Sequence, residues 1–153
     1  VVPIEFHSDL VLEGDEAFYA EVDRCVAQEE DVIRSGKVAV CYTNRKLLTV
    51  ENDTPESALM RSVKISDGVQ SLVGRLKVTP AFIIAKGGIT SSTVGTEALG
   101  VKKANVLGQI CPGIPVWQTD STSKFPKIPY VIFPGNVGDT DTLRRAVEVL
   151  TEA

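Results

Sequence analysis

Histidine, tryptophan and methionine occur once each in this sequence, and cysteine three times. With His7 the only histidine, a nucleophilic cysteine has no second imidazole to recruit, and no zinc-type ligand spacing is present. Cys25, Cys41 and Cys111 are odd in number and show no CxxC spacing, which reads as three free thiols in a reducing, cytoplasmic setting. No apolar run reaches the ~18 residues of a membrane-spanning helix. The start, Val1-Val2-Pro3-Ile4-Glu5, lacks the basic region of a signal peptide. It also lacks an initiator Met, so the chain is expected to begin inside a longer protein. A positive excess is missing too: the net charge is −4, which argues against a nucleic-acid face. Neither GxxxxGK[ST] nor GxGxxG occurs, which excludes a Walker loop and a dinucleotide fingerprint.

What is present is the composition of an ordinary globular domain. Apolar residues make up 43% and charged residues 24%, and 153 residues suffice for one core. No internal repeat or domain boundary is visible, so residues 1–153 are read as a single domain.

Strand-like and helix-like segments alternate. Val2 to Leu12 reads as extended, with His7 structural within it. A helix capped by Asp15 carries Phe18, Val22, Cys25, Val26, Val32 and Ile33 as its apolar stripe and stops at Gly36. Val38 to Tyr42 is a short apolar run suited to a strand covered on both faces. Asn52-Asp53-Thr54-Pro55-Glu56 starts a second helix, a polar cap followed by proline and an acid, with Leu59, Val63, Val69, Val73 and Leu76 on one side. Ala81 to Ala85 is the next strand, followed by Lys86-Gly87-Gly88 and a short helix from about Thr90 to Leu99, closed by Gly100. Ala104 to Leu107, Ile114 to Trp117 and Tyr130 to Phe133 read as further strands. A last helix holds Leu143, Val147 and Leu150 inward. Such alternation predicts a layered α/β/α domain with a mixed, largely parallel sheet, antiparallel in part between 104 and 134.

Two places repeat one design, in which an apolar strand runs into a glycine turn that opens a helix. One holds Gly87 and Gly88, the other Gly135 and Gly138. Glycine permits close backbone approach and positive φ. A helix start leaves N–H groups free and adds partial positive charge, so the corner suits an anion. In open α/β sheets ligands bind at such strand ends. Thr90, Ser91, Ser92 and Thr93 add hydroxyls. Lys86 is either a phosphate contact or a solvated strand-end lysine, and Asn136 either a tight-turn residue or a ligand contact. Asp139 reads as a helix cap before a metal ligand. Trp117 reads as core before a base-stacking residue, and Arg45 faces a ligand or pairs with a helix acid. The rival readings are a non-catalytic nucleotide- or anion-binding module, regulatory or effector-like, and a plain α/β domain whose glycines only turn the chain.

At these corners the sequence resembles the four-carbon acid sugar kinases. Lys86-Gly87-Gly88-Ile89-Thr90-Ser91-Ser92, Ala98-Leu99-Gly100-Val101, Val106-Leu107-Gly108-Gln109-Ile110, Pro112-Gly113-Ile114-Pro115 and Pro134-Gly135-Asn136-Val137-Gly138-Asp139 follow in that family's order. Tyr42-Thr43-Asn44-Arg45 is similar to its strand-end Thr-Ser-Arg. The resemblance implies the C-terminal, ATP-binding half of a two-domain kinase, with Mg²⁺ on the phosphates. The N-terminal domain, absent here, would hold a threonate- or erythronate-like sugar acid. It assigns Gly87, Gly88, Thr90 and Ser91 to the first nucleotide motif and Gly135, Asn136 and Gly138 to the second. It assigns no catalytic residue and no metal ligand to this chain. Ile89 and Thr93 stand where relatives often carry acids, and the family's opening Gly-Ser segment has no counterpart. The expected partners are ATP and ADP, with no nucleic acid and no membrane, and association between copies is compatible with the sequence.

Overall fold

The computed structural model describes residues 2–43, 51–134 and 141–151. By internal contacts the chain divides into two compact units, Val1–Val78 and Thr79–Ala153.

The first unit is a strand–helix–strand followed by a second helix. Strand β1 (Val2–Phe6) pairs in parallel with β2 (Ala39–Thr43), Ile4 opposite Cys41. The extended reading of Val2 to Leu12 holds only to Phe6. At His7 the backbone N–H leaves the ladder and donates to Glu21 Oε2 at 2.8 Å, and Ser8–Glu13 wind into a 3₁₀ helix. Helix α1 (Asp15–Arg34) is capped by Gly14, not Asp15, whose carboxylate instead pairs with Lys64. Its end is a Schellman turn: Gly36, at φ 81°, donates to Ile33 O and Lys37 to Val32 O.

Helix α2 (Pro55–Gly74) begins as its sequence predicts. Thr54 Oγ1 accepts from the Ser57 N–H at 3.1 Å, and Pro55 occupies the first turn. Its expected stripe holds in part: Leu76 is buried and Val69 and Val73 are half-buried, but Leu59 and Val63 are exposed, and Gly68, Ser71 and Leu72 are buried instead. Gly68 explains the shift: Phe18 and Phe6 lie so close that a Cβ there would run into the Phe18 ring. The missing side chain lets α2 settle onto these aromatics, with Phe6 and Phe18 centroids 5.6 Å apart.

The second unit is a four-stranded sheet of β3 (Ile83–Lys86), β6 (Pro129–Phe133), β5 (Ile114–Thr119) and β4 (Ala104–Cys111), in that spatial order. β3 and β6 run parallel; β6, β5 and β4 alternate in direction. The short strand expected at Ala104 to Leu107 runs on to Cys111 and turns back through Pro112-Gly113, with Gly113 at φ 81°. Ile84, Val131 and Val116 align across one face. Buried Ile114, Val116, Val131 and Phe133 form a cluster there, against which Leu143 and Leu150 of helix α4 (Thr142–Thr151) pack. Ile83, Tyr130, Trp117 and Val106 align on the other face, which meets helix α3 (Gly88–Thr93) and the π-helical turn Val94–Ala98 that continues it. The fold is therefore mixed α/β, with parallel and antiparallel ladders.

Candidate functional site

The corner after β3 is pinned from several sides. Gly87 prolongs the β3–β6 ladder by donating to Phe133 O at 2.8 Å, then turns at φ 105°, ψ 142° into α3. A Cβ there would come no closer than 3.8 Å to Thr90 Oγ1, so the backbone angle, not lack of room, is what calls for glycine. Ser91 N–H donates to Gly87 O at 2.9 Å, and Ser91 Oγ donates to Ala85 O at 3.1 Å. The Tyr130 hydroxyl donates to Ser91 O, and burial pushes its pKa far above the usual phenol value. The first-turn N–H groups that follow Gly87 have no intrahelical acceptor, as at any helix start.

The structure thus brings Gly87, Gly88, Thr90 and Ser91 together at one strand end. Ser91 is buried, with its hydroxyl turned into the corner and held by the backbone. Thr90 is half-buried beside Gly87. Lys86 is exposed, its ammonium 5.3 Å from the Phe133 ring centroid at the end of β6. Gly135, Asn136, Gly138, Asp139 and Arg45 lie outside the described residues. The chain just before Gly135 is nonetheless placed, since the Phe133 carbonyl is the acceptor of the Gly87 N–H. Sequence reasoning missed Tyr130, which locks the helix to the sheet. Its signal was a single polar atom in an otherwise apolar strand, a group that needs a partner when buried.

The corner offers backbone donors and a glycine angle already set, the features that suit a strand end to an anion. A metal has less to hold it. Among the described residues, no three His, Cys, Asp or Glu side chains are grouped to bind one. The same holds for the titratable cluster of the first unit. There burial pushes the Glu29 carboxyl up to about 8, against the hydrogen bond with the Cys41 thiol, and its Oε1 has no hydrogen-bond partner. Burial likewise raises Cys25 to about 11 and Cys41 further, so neither is a ready thiolate nucleophile. Burial also pushes Glu21 up, but the hydrogen bonds from Arg24 and the His7 N–H outweigh it and hold the carboxyl below its ordinary value. All three cysteines are free, and among the described residues no helix is long and apolar enough to cross a membrane.

The family described as nucleotide-binding C-terminal domain matches residues 2–143. No curated protein matches the chain. A Bordetella bronchiseptica domain of unknown function, solved with bound citrate as a domain-swapped dimer, is similar with a TM-score of 0.65 and 19% identity, over 99% of this chain and 35% of that one. A Haemophilus influenzae protein is similar with a TM-score of 0.64 and 18% identity, over 97% of this chain and 34% of that one. A Salmonella typhimurium protein provisionally named a tRNA synthase gives 0.65 and 18%, over 95% of this chain and 34% of that one. At such identities the likeness is one of fold. The chain spans about a third of the length of these structures.

Proposed function

The chain belongs to the nucleotide-binding C-terminal domain family, and on that premise we propose that it is the ATP-holding domain of a four-carbon acid sugar kinase, acting on a threonate- or erythronate-like acid or its oxo form. The observation that carries this reading is the Gly87 corner, a strand end turned by a positive-φ glycine into a helix whose first-turn N–H groups are free. Phosphoryl transfer needs positioning and charge neutralisation more than covalent help. Backbone groups after Gly87 would hold phosphate oxygens, with the Thr90 hydroxyl beside them. Ser91 and Tyr130 keep that backbone in place. Gly135, Asn136 and Gly138 would form the second wall. Mg²⁺ would neutralise the phosphates, held by them and by water, because among the described residues this corner offers it no carboxylate cluster. The acceptor hydroxyl and its base belong to a separate sugar-acid domain, so residues 1–153 form one nucleotide domain that transfers nothing by itself. A cytoplasmic location goes with free thiols and an ATP substrate. The domain-swapped dimers of the Bordetella bronchiseptica protein support self-association. Its bound citrate supports a second reading, a non-catalytic module for a small anion.

The test uses the full-length parent and this chain in parallel, assayed for ADP release from ATP·Mg with threonate, erythronate or their oxidised forms. Gly88→Val and Gly135→Val should raise the KM for ATP in the parent. An unchanged KM in both folded variants overturns the phosphate assignment. Turnover by this chain alone at the parent's rate overturns the placement of the acceptor site.

A further inference from the structure

Flanking α3, the second unit carries a cavity of about 210 Å³. Trp117 and Ile132 line it from the sheet, Ser92, Gly95 and Thr96 from the helical segment, and Val101 from the chain that follows it. We propose that this cavity is a base slot that takes adenine and guanine alike. The inference rests on the nucleotide-binding reading above and adds the ligand's base and its selectivity.

Size comes first. Pockets for whole drug-sized ligands run to ~300–1,000 Å³, so this one admits a planar ring system and leaves ribose and phosphates outside. Its walls are those of a stacking site. Trp117 is half-buried, aligned in register with Tyr130, and Gly95 offers no side chain to occupy the space. Base-on-aromatic stacking tolerates any base because each has a π-face. The slot begins about one helical turn beyond Gly88, on the same helical segment as the corner.

Selectivity follows from what the lining can say to a base edge. Among the described lining residues the polar side-chain groups are hydroxyls and the indole N–H of Trp117, which lies in the plane of its ring, with no amide, carboxylate or guanidinium. The Tyr130 hydroxyl is committed to the Ser91 carbonyl. Thr96 Oγ1 donates to Ser92 O at 2.9 Å and keeps its lone pairs for a donor. Ser92 is exposed at the rim, and its hydroxyl rotates to donate or accept. Adenine presents an amino donor at C6 and guanine a carbonyl acceptor at the same place. Strong discrimination needs a fixed polar group that the wrong base leaves unpaired. A rotating hydroxyl pairs with either.

The chain's only tryptophan is the reporter. The chain is titrated with ATP, GTP and tripolyphosphate, each with Mg²⁺, by calorimetry and by Trp117 emission. ATP and GTP should both change the emission and bind within about fivefold of each other. Tripolyphosphate should bind without changing it. Trp117→Leu should weaken both nucleotides about tenfold or more while sparing tripolyphosphate. Thr96→Phe, at an exposed position, fills the slot from its rim and should do the same in a protein that keeps its tryptophan. ATP binding with silent emission and no effect of either variant overturns the slot and leaves the nucleotide reading intact. A preference for one purine above about fiftyfold overturns the selectivity. Failure of ATP and tripolyphosphate alike overturns both readings together.

Discussion

In the first unit helix α1 carries two carboxylates, Glu21 and Glu29, into the interior; in the second, the buried polar side chains among the described residues are hydroxyls, those of Ser91, Thr119, Ser123 and Thr142. A hydroxyl that donates to a backbone carbonyl brings no charge inside. Ser91 does so to Ala85, Thr119 to Phe125 at 2.6 Å and Ser123 to Asp120 at 2.8 Å, each tying a turn to the sheet or to itself. A buried carboxylate must either be matched, as Glu21 is by Arg24 and the His7 N–H, or keep its proton, as Glu29 does. The comparison separates a unit whose stability answers to pH from one whose polar groups fix the geometry of a corner.

The largest effect expected from this difference is at Glu29. Its carboxyl titrates at 4.5 in the open chain and about 8 in the fold. Between those values the folded state holds a proton that the unfolded state has released. The contribution is full below about pH 4.5 and is lost as pH rises through about 8, on the order of 3–5 kcal/mol in all. Denaturant titrations across that range should show stability falling with pH, and Glu29→Gln should flatten the slope. A wild-type protein with no slope would mean that Glu29 finds a cationic partner.

Smaller, and opposite in the two units, are the effects of adding one methyl group. Gly68→Ala gains up to ~1 kcal/mol of helix propensity but forces its Cβ into Phe18 and within 3.0 Å of Phe6, for a net loss of about 1–2 kcal/mol. Gly95→Ala would meet the Tyr130 ring at 3.5 Å, an ordinary contact, and should be neutral or slightly stabilising. Thermal melts of the pair would sharpen the contrast; equal losses would break it.

The smallest effect tests what Ser91 is for. Ser91→Ala removes one buried hydrogen bond and should cost about 1 kcal/mol in unfolding free energy. Loss of nucleotide affinity with unchanged stability would instead turn that hydroxyl toward the ligand.

Where a local rule decides structure, the sequence was readable. Thr54 and Pro55 announce α2, Gly36 ends α1, and Lys86-Gly87-Gly88 marks the corner, because capping and positive φ act over a few residues. Register and burial were harder. Leu59 and Val63 have the right period for a buried stripe, yet a distant contact, Gly68 against Phe18, sets which side of α2 faces inward. The inward turn of Ser91 depends on Ala85 and Tyr130, the latter 39 residues away, and no periodicity encodes it. Glu29 could have been found: it follows Val22, Cys25 and Val26 at the spacing of the apolar stripe, and its charge alone hid it. The π-helical end of α3 had no signal beyond the glycines at 95 and 100.

Strand β4 ends the order of described strands, and its ladder to β5 jumps from Val106 to Gly108, leaving Leu107 without an opposite number. Val106 and Leu107 are both exposed there, and Gly108 bends the strand at φ 130°. An open, flat, apolar strand edge is a template for the next molecule's strand, the first step towards fibrils. The bulge denies such a newcomer an unbroken row of donors and acceptors. A second shift, between Gln109 and Cys111, breaks the row again, so two irregularities close together keep this exposed apolar edge from offering a long flat run to another chain.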